Sequence, residues 1–77
     1  MKLTYDEHTD TFFLECSYHA RRIAKEHRFK WNPDKFLWFT QDVHGAMNFY
    51  LEADSSARRA MSRKLALEDS RKVKKEE

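Results

Sequence analysis

Apolar and polar positions change their spacing several times along the chain, and each change marks an element. Leu3 to Tyr5 and Thr11 to Cys16 are short apolar runs on either side of the polar turn Asp6-Glu7-His8-Thr9-Asp10, the pattern of a β-hairpin. Ala20, Ile23, Ala24 and His27 then follow the i, i+3, i+4, i+7 spacing of one buried stripe. That spacing predicts a helix over residues 18–27, with Ser17 as its N-cap. From Phe29 to Thr40 the period returns to two on both sides of Asn32-Pro33-Asp34-Lys35. Asn-Pro favours turn initiation, proline pre-sets φ, and Asp34 can bond its own backbone, so this block predicts a second hairpin. Val43, Ala46, Met47, Tyr50 and Leu51 restore helical spacing, capped by Asp42 or Thr40. Gly45, the sole glycine, falls inside that helix, where it costs about 1 kcal/mol relative to alanine. Close packing is the reason the sequence offers for it.

Beyond Asp54-Ser55-Ser56 the chain is dominated by charged helix formers, with a weak stripe of Ala57, Ala60, Met61 and Leu65. Lys64/Glu68 and Glu68/Lys72 are spaced for i, i+4 pairs. The expected fold is therefore α+β, of order ββαββα, with one antiparallel sheet packed against helices and a charged C-terminal helix. Residues 1–54 are expected to form the domain. Residues 55–77 are expected to leave it as a helix or linker that frays over 71–77.

Composition narrows this picture. A chain of 77 residues holds one small domain with a modest core, and six Phe, three Tyr and two Trp make that core aromatic-rich. One cysteine excludes an internal disulfide framework, and Cys16 in an apolar strand is expected to be a buried, unreactive thiol. No apolar run approaches the roughly 20 residues needed to span a bilayer. Asp6, Glu7 and Asp10 interrupt any signal-peptide pattern, so a cytoplasmic protein without membrane contact is expected.

The net charge of +2 conceals a segregation. Arg21, Arg22, Lys25, Arg28, Lys30 and Lys35 face only Glu26 and Asp34 over residues 18–38, a net +4. Lys2 against Asp6, Glu7, Asp10 and Glu15 gives a net −3 over residues 1–17. Residues 39–54 add Asp42, Glu52 and Asp54 and no cation, and residues 55–77 hold eight Lys/Arg against four acids. Two basic blocks separated by acidic ones point to an anionic partner. In the first block the cations interleave with Trp31 and Trp38, the composition of a nucleic-acid groove. At least one tryptophan is expected in the core of so small a domain. Trp38, between Leu37 and Phe39, is the better anchor, and Trp31, beside Lys30 and the turn, is the better stacking platform.

Other chemistry finds less purchase. Cys16, His19 and His27, with His8 or His44, are the only metal-ligand candidates, and just Cys16 and His19 are closely spaced. No metal, cofactor or catalytic site is expected.

The run from Cys16 to Leu51 also resembles a known family. A short apolar strand ends near Cys16, and a basic helix with Ile23-Ala24-Lys25 follows. Next come Arg28-Phe29-Lys30-Trp31-Asn32-Pro33, then Lys35, Trp38 and Thr40, then a helix with Ala46 and Tyr50. This order resembles the N-terminal HARP-like DNA-binding module of bacterial SNF2-type DNA-dependent ATPases and helicases. That family commonly carries glycine where Arg28 stands. HARP domains proper usually have tyrosine at the position of Trp31 and an aromatic at that of Thr40. The resemblance implies a module that grips DNA, at junctions between double and single strands, for an attached helicase motor. Lys30, Trp31, Lys35 and Trp38 match its characteristic hairpin residues.

The expected function is therefore non-catalytic binding of DNA, whether single-stranded, forked or duplex. Arg21, Arg22, Lys25, Arg28, Lys30 and Lys35 would neutralise phosphates, and Trp31 or Trp38 would stack on a base. With one glycine the chain has no Walker-type phosphate loop, and no ATPase activity is expected. The alternative is a protein–protein interaction module that docks through Ala57, Ala60, Met61 and Leu65 of the C-terminal helix.

Overall fold

The computed structural model describes the backbone of residues 1–76 and the side chains of residues 1–68. Strands β1 (Lys2–Asp6) and β2 (Thr11–Glu15) form the first hairpin, and β3 (Lys30–Asn32) and β4 (Leu37–Thr40) the second. Three helices complete the chain: α1 (Arg21–Glu26), α2 (Val43–Met47) and α3 (Ser55–Glu76). The α+β architecture is the one the periodicity predicts. All four strands join one antiparallel sheet in the order β1-β2-β4-β3, so β3 forms one edge. Along the other edge, Leu3 bridges Ala53 in parallel and its carbonyl accepts from the Asp54 N–H at 3.0 Å.

Register assigns the two faces of the sheet, because directly paired residues point the same way. Leu3, Leu14, Trp38 and Trp31 form one row across all four strands, flanked by the pairs Tyr5–Phe12 and Phe12–Thr40. Thr4, Phe13, Phe39 and Lys30 form the next row, on the opposite face. The helices cover the first face. Leu3, Phe12, Leu14 and Trp38 cluster there with Ala24, Phe29, Val43, Ala46, Phe49, Ala57, Ala60 and Met61. Each large apolar side chain buried in this way contributes about 1.5–3 kcal/mol.

Several expectations are corrected. The C-terminal helix does not leave the domain at residue 55. Ala57, Ala60 and Met61 are fully buried against the sheet, because side chains this small or this pliable let α3 approach β1 closely. Its Lys64 reaches Asp10 at 2.7 Å and its Glu68 meets His44 at 2.8 Å, so both make long-range pairs instead of pairing with each other. The expected Glu68/Lys72 pair involves a side chain outside the described residues, and the backbone is helical through Glu76 where fraying was expected over 71–77.

Ile23 is exposed although the spacing placed it in the buried stripe. The chain enters α1 through a 3₁₀ turn, Tyr18–Ala20, which rotates that stripe, and Ser17 makes no side-chain cap. Met47, at the end of α2, is also exposed, and so are Tyr50 and Leu51, because α2 stops before them. The Asn48 side-chain amide donates to the carbonyls of His44 and Gly45, and a 3₁₀ turn over Tyr50–Glu52 carries Phe49 inward instead.

Gly45 has its explanation in packing. A Cβ there would lie 2.5 Å from the His27 carbonyl oxygen, so α2 crosses the end of α1 backbone against side. Among the described residues no helix is long and apolar enough to cross a membrane.

Candidate nucleic-acid interface

Between α1 and the second hairpin runs a largely apolar groove of about 550 Å³. Its walls are built locally. The Asn32 side-chain carbonyl accepts from the backbone N–H groups of Asp34 and Lys35 at 3.0 and 3.2 Å, which fixes the four-residue turn. The turn is thus held by Asn32 and not by the Asp34 side chain. Phe36 closes it at a φ of 55°, in the left-handed region, with its ring 76 % exposed beside Trp31. Trp31 and Trp38 are directly paired in register, with ring centroids 5.4 Å apart and planes 61° to each other. They share a face but not an environment: Trp38 is 7 % exposed and Trp31 46 %.

The opposite wall comes from the entry to α1. Tyr18 is 72 % exposed, and the Arg21 guanidinium carbon sits 3.7 Å from its ring centroid. Arg21 also donates to the Tyr18 carbonyl at 3.0 Å, so the cation is held over the ring. Lys25 follows one turn later on the same side, and Cys16 and Ser17 form the floor. Cys16 is half-buried and not enclosed as the sequence suggested, and burial pushes its thiol up from the ordinary value. It is therefore a weak nucleophile, in line with a lining role.

Of the eight residues expected at the site, Arg21, Lys25, Trp31 and Trp38 line this groove. Arg22 lies alongside, in a shallow basin it shares with Arg21, Lys25, His19 and Ile23. Arg28 is elsewhere. Its guanidinium pairs with Asp42 at 2.9 Å, at the start of α2. Burial pushes the Asp42 carboxyl up, but the Arg28 hydrogen bond and the His44 N–H outweigh it and leave the group below its ordinary value. Lys30 and Lys35 belong to the other sheet face. Lys30 pairs with Phe39, and the Lys35 ammonium lies 5.1 Å from the Phe13 ring centroid.

The basic residues thus divide between two faces on either side of β3. Sequence reasoning missed Tyr18 and Phe36. The i, i+3 spacing of Tyr18 and Arg21 on a basic helix was the available signal for the first. For Phe36 it was an aromatic placed directly after a turn.

Comparison with family models, with curated proteins and with solved structures gave no match.

Proposed function

We propose that this domain is a non-catalytic nucleic-acid-binding module that takes single-stranded DNA into the groove between α1 and the β3–β4 hairpin. One observation carries the reading: Tyr18, Trp31 and Phe36 present exposed rings to the same groove that Arg21 and Lys25 line with positive charge. Aromatic faces stack on bases of any sequence for about 1–3 kcal/mol each, while adjacent cations neutralise the backbone. The one bidentate fork in the groove, the Arg21 guanidinium, is held over the Tyr18 ring and bonded to its carbonyl, so the reading is of backbone and unpaired bases.

The backbone at Arg28 lends support to the HARP-like resemblance. Arg28 has a φ of 71° and follows α1 as the left-handed residue of a Schellman cap. The Phe29 N–H bonds the Ala24 carbonyl at 3.0 Å and the Arg28 N–H the Lys25 carbonyl at 3.2 Å. Such a position favours glycine, the residue that family commonly carries there. On this reading the module serves an attached helicase motor in the cytoplasm. The alternative of docking through the C-terminal helix finds no such support, because Ala57, Ala60 and Met61 are in the core.

Titration of the folded domain with single-stranded, forked and blunt duplex DNA over a range of salt tests the proposal. Single-stranded and forked DNA should bind more tightly than duplex. With about four phosphates contacted, log K against log[salt] should fall with a slope of about −3. No binding at low salt, or equal binding of blunt duplex, overturns it.

A further inference from the structure

The face of the sheet opposite the helices is not an ordinary solvated surface. Phe13 and Phe39 stand directly opposite each other in the centre of that face, half-buried and outside the core cluster. Exposed Lys30 on β3 flanks Phe39, and Lys35, from the turn between β3 and β4, is held over Phe13 of β2 by its cation–π contact, within electrostatic reach of Asp6. The acids of the face, Asp6 and Glu15, belong to β1 and β2, and Glu15 stands opposite Lys2. Positive charge and aromatic surface therefore meet across β2, β4 and β3, and β3 is an edge only three residues long. Along it Trp31 faces the groove while its neighbours Lys30 and Asn32 face the open side.

We propose that a single strand seated in the groove turns around β3 and continues over the open face, where Phe39 and Phe13 form an apolar floor under its bases and Lys30 and Lys35 take its phosphates. This extends the groove reading and rests on it. Charge complementarity selects the occupant: a polyanion with flat apolar groups matches lysines set among phenylalanines. A flexible single strand can turn around such an edge, whereas a stiff duplex cannot bend so sharply.

Salt-dependent anisotropy with two oligothymidylates, about four and about twelve nucleotides long, tests the path, since single-strand footprints span that range. In the unaltered domain the longer oligonucleotide should bind more tightly and with a steeper salt slope. Each single-strand phosphate contributes about 0.7 to that slope. Lys30→Ala with Lys35→Ala should therefore lower the slope for the longer probe by about 1.4 and leave the shorter probe within about twofold. Both lysines are exposed, so the fold should persist, as circular dichroism will show. Equal binding of the two lengths overturns the inference, as does a double variant that keeps the full slope for the longer probe, and neither result touches the groove. The groove reading fails by a different sign: Arg21→Ala with Lys25→Ala leaving the shorter probe bound as before.

Discussion

The same sheet face is dry under α3 and open under α1, and the two helices show why. In α3, Ala57, Ala60 and Met61 turn inward and are buried, and the salt bridge from Lys64 to Asp10 ties the helix across to the first hairpin. In α1 only Ala24 is buried, and Arg21, Arg22, Ile23 and Lys25 are all exposed. A helix that brings small side chains to a sheet roofs it. One that brings cations stands off and leaves the strand beneath it exposed. The row Leu3, Leu14, Trp38, Trp31 records the gradient, passing from full burial at β1 to a half-exposed tryptophan at β3. Stability lies at one end of the row, and the proposed binding surface at the other.

Trp38→Ala should break this division most severely. It removes the last buried member of the row, and the expected loss is about 3–5 kcal/mol, enough to unfold much of a domain this size; urea denaturation will measure it. Trp31→Ala should cost only about 1–2 kcal/mol, given its half-exposure. Equal losses for the two would mean that α1 roofs β3 after all. Gly45→Ala should destabilise by about 1–3 kcal/mol, because the new methyl meets the His27 carbonyl oxygen, which is backbone and cannot swing away. A thermal melt reads that cost.

A pH titration sharpens the α3 side. The Lys64 ammonium, then the Tyr5 hydroxyl, hold the Asp10 carboxyl below its ordinary value. A depressed carboxyl stabilises the fold above its unfolded-state pKa, and the contribution disappears as pH falls through the folded-state value. Asp10→Asn should thus be less stable than the unaltered domain at neutral pH and match it in acid. The smallest effect is reserved for Arg28. Its guanidinium is engaged with Asp42 away from the groove, so Arg28→Gly should leave DNA affinity within about twofold. A large loss would draw the interface across to α2.

Much of this organisation was legible in the chain. Apolar runs about a polar turn located the first hairpin and period-two spacing the second, and Trp38 as the buried tryptophan followed from its place between Leu37 and Phe39. Alternation separates two faces of a strand but does not say which one a helix will cover. The grouping of Lys30 and Lys35 with Phe13 therefore needed the β2–β4 register. Helix stripes were read too long. The 3₁₀ entry to α1 turned Ile23 outward, and the Asn48 side chain ended α2 before Tyr50 and Leu51 could face inward. The role of α3 was hidden by its composition. Two alanines and a methionine make a weak stripe among charges, yet they are what lets that helix lie flat on β1.

On the proposed reading Trp31, and not Trp38, meets the nucleic acid. Intrinsic fluorescence of two single variants, Trp31→Phe and Trp38→Phe, titrated with single-stranded oligothymidylate, tests it directly. Quenching should persist in Trp38→Phe, which keeps the groove tryptophan, and vanish in Trp31→Phe. Quenching that survives in Trp31→Phe and is lost in Trp38→Phe would contradict the account.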